Sequence, residues 1–68
     1  MIIFAERLRD LREEKRLSQM ELAKAVGLGQ SSIAYWELGE RIPNALAVAI
    51  LAKLFNVSTD YLLGLTNE

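Results

Sequence analysis

The chain has no cysteine and no histidine. Without cysteine there is no disulfide, no thiolate nucleophile and no thiolate metal site. Without histidine the commonest general base and the commonest zinc ligand are missing too. No glycine-rich phosphate loop and no metal-ligand spacing are present, so no cofactor and no metal are expected. Glu37 and Asp60 are carboxylates, but nothing in the sequence places them in a shared cleft. This inventory excludes an enzyme of the ordinary kinds. No apolar run approaches the roughly 18 residues of a membrane span. Met1-Ile2-Ile3-Phe4-Ala5 is apolar, but Glu6 and Arg7 follow at once, the reverse of the order in a signal peptide. The expectation is a soluble cytoplasmic protein that does not engage a membrane.

What is present is apolar and helical. The 68 residues make one small domain with 51% hydrophobic content. A chain of this size buries only about 60% of its unfolded surface, so it must pack well or dimerise. Net charge is −1 and the pI is near 5.4, a balance that counts against a nucleic-acid partner at first sight. The distribution matters more. Residues 1–16 hold Arg7, Arg9, Arg12, Lys15 and Arg16 against Glu6, Asp10, Glu13 and Glu14, five minus four, or +1. Residues 17–43 hold Lys24 and Arg41 against Glu21, Glu37 and Glu40, two minus three, or −1. Residues 44–68 hold Lys53 against Asp60 and Glu68, one minus two, or −1.

Helical periodicity runs nearly throughout, and no segment shows the strict alternation of a half-buried strand. The pattern predicts a first helix over about 3–15, with Phe4, Leu8 and Leu11 on one stripe. On its other sides Arg12 either belongs to a solvated charged face or meets a phosphate. A second helix is expected over 19–26, with Ser18 as N-cap and Glu21 completing a capping box. There Leu22 and Val26 face the core beside Met20 or Ala23. Gly27 suits a left-handed C-terminal turn. A third helix is expected over 30–38, N-capped by Gly29, with Ile33 and Trp36 inward and Gly39 closing it. Pro43 forces a turn. Asn44 caps a fourth helix over 45–55. That helix is apolar almost all round and is therefore expected to be the central packing element. Asn56 ends it, Ser58 caps a fifth helix over 59–63, and Gly64 closes the last turn. Leu65 and the tail Thr66-Asn67-Glu68 are expected to fray.

The stretch Ser18–Gly39 organises the rest. Its second helix has an apolar inner side and an outer side that is polar yet uncharged. Gln, Ser and Tyr make directional hydrogen bonds, and a helix meant only for solvation would carry Lys and Glu there. This points to a DNA-reading unit. Trp36 reads as core, and Glu37 as a structural partner of Arg7 or Arg12. Tyr61, Leu62, Leu63 and Leu65 exceed what one face of a short helix buries. Tyr61, Leu63 and Leu65, with part of the fourth helix, are the expected dimer seam.

These residues resemble the helix-turn-helix domain of phage repressors of the lambda/Cro type. The resemblance runs from about Phe4 to Gly64. It is carried by Arg7-Leu8-Arg9-x-Leu11-Arg12, Ser18-Gln19-x-x-Leu22-Ala23, Gly27-Leu28, Ile33-x-x-Trp36-Glu37-x-Gly39, Pro43, Leu51-Ala52, Asn56-Val57-Ser58 and Tyr61-Leu62-Leu63-Gly64. It implies an all-α, compact five-helix domain with the helix-turn-helix at its second and third helices. The third helix would enter the major groove, and a dimer would read half-sites roughly 34 Å apart. Position by position, it implies base reading by Gln30, Ser31 and Tyr35. It implies phosphate contact by Gln19, Ser32, Arg12, Arg41 and the helix start at Gly29. Glutamine can bond adenine N6 and N7 together, and helix N-termini and small hydroxyls suit phosphate oxygens. The chain departs from the family pattern at Gly29, where Ser or Thr is usual, at Glu40, where a basic residue is common, and at Arg16, where Gly or Asn is usual. Fewer cations imply a shallower salt slope.

Two functions compete on this reading. The first is a sequence-specific transcriptional regulator, a homodimeric repressor on a palindromic operator. The alternative is an antitoxin-like or other interaction module whose main partner is a protein. Both a complete protein and the DNA-binding part of a larger repressor are compatible with the chain's extent.

Overall fold

A computed structural model describes residues 2–67, with the side chain of Ile2 outside the description. Five helices appear: α1 (Ile2–Glu14), α2 (Gln19–Val26), α3 (Gln30–Leu38), α4 (Ala45–Phe55) and α5 (Thr59–Leu63). No strand occurs among the described residues. α1 starts and ends a residue earlier than the apolar pattern predicts, because Lys15 and Arg16 already turn away. Arg16 adopts a left-handed backbone with φ 57°. Its neighbour Leu17 donates its amide to the Arg12 carbonyl at 3.1 Å, closing α1 in the manner usually given to glycine.

Local chemistry sets the other helix ends. The Ser18 side chain accepts from the Glu21 amide at 3.0 Å, and the Ser18 amide donates to Glu21 Oε1 at 2.8 Å. This is the reciprocal capping box, which satisfies two backbone donors at once. Asn44 accepts from the Ala47 amide, and Ser58 from the Tyr61 amide. Gly27, Gly39, Asn56 and Gly64 each end a helix in left-handed geometry.

The core joins Phe4 and Leu8 of α1, Leu22 and Ala23 of α2, and Ile33 and Trp36 of α3. Ala47, Val48, Leu51, Ala52 and Phe55 of α4 and Leu62 of α5 complete it. Leu8, Leu22, Ile33, Leu51 and Leu62 are wholly enclosed, each such burial contributing about 1.5–3 kcal/mol. Beside Leu22, Ala23 takes the inward place and Met20 stands outside, 52% exposed. α3 packs on both α1 and α2, so the helix-turn-helix is clamped from behind by α1.

One expectation is qualified and one is corrected. α4 supplies five core residues, Ala47, Val48, Leu51, Ala52 and Phe55, while Leu46 is 69% exposed and Ala49 and Lys53 also lie outside. The five helices form one shell around a small core, so even a nearly all-apolar helix keeps an outer side. The tail also does not fray through Asn67. The Arg7 guanidinium lies over the Tyr61 ring, 4.2 Å from its centroid. It donates to the Tyr61 carbonyl, to the Thr66 carbonyl at 2.7 Å and to Asn67 Oδ1 at 3.3 Å. Leu65 closes the last turn through its amide to Asp60 at 2.8 Å. Glu68, also expected to fray, lies outside the described residues.

Candidate nucleic-acid interface

α3 divides its residues by helical phase. Ile33, Trp36 and Glu37 point inward and are buried. Ser31, Tyr35 and Leu38, at i, i+4 and i+7, share the outer side, with Gln30 beside them at the first turn. Gln30 and Ser31 are exposed, Ser32 is half-buried, and Tyr35 is 39% exposed. Leu38 is exposed on the same side, a residue that the apolar periodicity did not single out. Gly29 adopts extended geometry, and no side chain caps α3. The first amides of the helix are left to water or to a ligand.

Behind this face sits one buried carboxylate. Glu37 is the single charged residue found in the core among the described residues. Arg12 grips it in a fork, Nε donating to Oε2 at 2.6 Å and Nη2 to Oε1 at 3.0 Å. Arg12 Nη1 donates to the Leu17 carbonyl at 2.8 Å. Gln19 Nε2 donates to the same Glu37 Oε1 at 3.1 Å. One side chain of α3 thus ties α1 to the first residue of α2, and Arg12 extends the tie to the loop before α2. The hydrogen bond to Glu37 is the main cause that pushes the Arg12 pKa up, against the opposing effect of burial. Among the described residues no buried side-chain polar atom lacks a partner, which a polar core needs if it is not to be destabilising.

This geometry gives Arg12 a structural role. Its Nε and both Nη atoms are engaged inside the protein, and its side chain is only 13% exposed. It is a structural tie, because the buried Glu37 carboxylate needs a counter-charge. Gln19 is half-buried, at the junction between this tie and the surface. Arg41 is exposed and is brought to α3 itself, its guanidinium carbon 4.5 Å from the centroid of the Tyr35 ring. Periodicity carried no signal for that pairing, because Arg41 lies beyond the helix.

The candidates at the other end of the chain separate. Leu65 is 73% exposed, whereas Tyr61 is half-buried beneath Arg7. Leu63 is half-buried and lines an open groove of about 320 Å³ with Pro43, Ala45, Val48 and Thr59. Ile42 and Leu46, next in sequence to that rim, are 74% and 69% exposed. No group of three or more His, Cys, Asp or Glu able to hold a metal occurs among the described residues.

A family model described as helix-turn-helix matches residues 8–62, the span from the enclosed Leu8 to the enclosed Leu62. The chain belongs to the helix-turn-helix family. The family's similar members, phage repressors among them, are DNA-binding transcriptional regulators and not enzymes. One relative, an uncharacterised helix-turn-helix transcriptional regulator of Bacillus subtilis called YobD, is 38% identical over 66 residues. That match takes in 97% of this chain and 59% of the relative. The chain spans somewhat under three fifths of the first curated relatives it matches, 59% and 58% of their lengths.

Solved structures agree with the helix-turn-helix frame. The c2 repressor of Salmonella phage P22, crystallised in complex with a synthetic operator, superposes with a TM-score of 0.84 at 34% identity. The match covers 91% of this chain and 94% of that one. The restriction-modification controller protein C.AhdI from Aeromonas hydrophila gives a TM-score of 0.81 at 34% identity, covering 90% and 92%.

Proposed function

We propose that residues 1–68 act as one DNA-binding domain, a sequence-specific transcriptional regulator that represses as a homodimer on a palindromic operator. The observation that carries this reading is the outer side of α3. It presents exposed Gln30, Ser31 and Tyr35 on a frame like that of a repressor crystallised with its operator. α3 enters the major groove, where Gln30, Ser31 and Tyr35 reach base edges. Ser32, Gln19, Arg41 and the uncapped amides after Gly29 contact phosphates, fixing register without reading sequence. A cytoplasmic location belongs to the same reading.

Size supports a pair of copies. The Cα frame measures 28 × 23 × 20 Å, whereas successive major-groove faces lie roughly 34 Å apart. One copy therefore covers one half-site, and a second is needed for the next. Exposed Leu65, Ile42 and Leu46, with Leu63 in the groove beside them, offer apolar surface for that pairing, with half-buried Tyr61 beside it. Arg7 and Arg12 are both engaged inside the protein, and the chain as a whole carries a net charge of −1. Binding then leans on directional contacts and dimer geometry, with a shallow salt dependence.

Selection of bound duplexes from a random pool tests the proposal. A palindromic consensus with half-sites about one turn apart is expected. On the selected site Gln30→Ala is expected to weaken binding by about 1–3 kcal/mol, with relaxed preference at one position of each half-site. Parent-like affinity in that variant refutes the role of Gln30, and a pool with no enriched sequence refutes DNA reading. Retention of a protein partner after nuclease treatment, with no DNA preference, would favour the interaction-module function instead.

A further inference from the structure

We infer that Arg41 determines base preference by holding the Tyr35 ring in its reading orientation, and is not only a backbone contact. The inference rests on the DNA-reading function proposed above and deepens it.

The local fold forces the two residues together. Gly39 takes φ 75°, which reverses the chain at the end of α3. Its amide donates to the Trp36 carbonyl at 3.1 Å, and the Glu40 amide reaches back to the Tyr35 carbonyl at 3.0 Å. The second bond anchors the loop to the very residue whose ring is at issue. Arg41 follows directly, and its guanidinium carbon stands 4.5 Å from the Tyr35 centroid. Tyr35 is 39% exposed, open enough to meet a ligand while carrying a cation on one face of its ring.

The chemistry gives this contact a consequence. A tyrosine on an open helix face samples more than one rotamer, and fixing it on binding costs conformational entropy. A planar guanidinium stacked on the ring favours one orientation before DNA arrives, so less ordering remains to be done on binding. Lysine keeps the charge but has no plane to stack. Arg41→Lys thus separates holding the ring from neutralising a phosphate.

The test uses the wild-type chain, Arg41→Lys, Arg41→Ala, Tyr35→Ala and the double variant Tyr35→Ala/Arg41→Lys. Proton NMR of the DNA-free protein should show the Arg41 side-chain CH2 resonances shifted upfield by the ring and returned to ordinary positions in Tyr35→Ala. Absence of that shift in the wild type overturns the inference without touching the DNA reading. Wild-type selection from a random duplex pool, followed by the same selection with Tyr35→Ala, locates the position that depends on Tyr35. Preference there should relax about twofold in Arg41→Lys, which loses the planar stacking, and about two- to fivefold in Arg41→Ala, which loses the whole surface cation–π contact. It should relax no further in the double variant than in Tyr35→Ala alone, and the Arg41→Lys salt slope should match the wild type. If Arg41→Lys keeps full preference while Arg41→Ala weakens binding evenly across sequences and lowers the salt slope by about one, Arg41 is a phosphate contact alone. A wild-type pool with no enriched motif overturns the DNA reading, and this inference with it.

Discussion

Removing the Glu37 carboxylate should come close to unfolding the domain. Glu37 has a 5% exposed side chain, and Arg12, which grips it, is 13% exposed. Breaking a buried pair by deleting one partner costs about 3–5 kcal/mol, because the remaining charge is left without compensation. Arg12 keeps its bond to the Leu17 carbonyl and some access to water, so the low end applies and Glu37→Ala should cost about 3 kcal/mol. A domain of 68 residues has a total stability of about 3–10 kcal/mol at 0.05–0.15 per residue. The variant therefore uses a third or more of it, equivalent to a fall in Tm of about 12–24 °C. Glu37→Gln keeps the shape but weakens charge-assisted bonds to neutral ones, and should cost about half as much. The measurement is urea unfolding followed by Trp36 fluorescence and far-ultraviolet circular dichroism. Arg12→Met/Glu37→Met, which removes both charges, should be markedly more stable than the sum of the single losses, since an apolar replacement of a buried pair is often near neutral. A double variant as unstable as that sum would refute coupling through the fork, as would a Glu37→Ala loss below about 1 kcal/mol.

Arg16→Gly should raise stability by about 0.5–1 kcal/mol in the same urea assay, since it relieves a left-handed residue while adding glycine's unfolded-state entropy. Gly64→Ala should lose about 2 kcal/mol or more, because at φ 82° its Cβ would stand 2.7 Å from Ile3 Cγ2. Gly27→Ala, at φ 69° with nothing within 4 Å of the added atom, should lose only the conformational part, about 1–2 kcal/mol. Equal losses at the two glycines would remove the steric contribution. In a pH titration of stability, the Ser18 amide and then the Ser18 hydroxyl hold the Glu21 pKa below its ordinary 4.5. The contribution of Glu21 is therefore present above 4.5 and lost as pH falls through its lower folded value. Glu21→Gln should flatten that acid limb. The raised Arg12 pKa acts only in strong alkali, its contribution being complete at every pH below the ordinary arginine value.

The helix ends were legible because capping is local. Ser18 with Glu21, Asn44 and Ser58 each satisfy an amide within three residues, and Gly27, Gly39, Asn56 and Gly64 are residue types that accept positive φ. Phe4, Leu8, Leu22, Ile33, Trp36 and Leu51 were legible as core because they repeat at helical spacing. Between Arg7 and Arg12, by contrast, the residue pattern offered no choice of partner for Glu37. Both lie on the first helix at reachable positions, and only the packing of α1 on α3 decides that Arg12 turns inward while Arg7 crosses to α5 and the tail. The same holds for the outer side of α4, where composition counts apolar residues but not neighbours.

The order of apolar and capping residues alone determined a five-helix domain with a helix-turn-helix between Ser18 and Gly39, since those signals act over one or two turns of chain. Tertiary structure alone decided that Glu37 ties three segments together, that Arg12 turns inward onto it, that Arg7 pins the tail, and that Arg41 rests on Tyr35. Apart from the short reach from Tyr35 to Arg41, those contacts join residues 25, 18 or as many as 60 positions apart. Burial of a charge and the stacking of a cation on a ring depend on what the folded chain brings within a few ångströms, a distance that helical period does not encode.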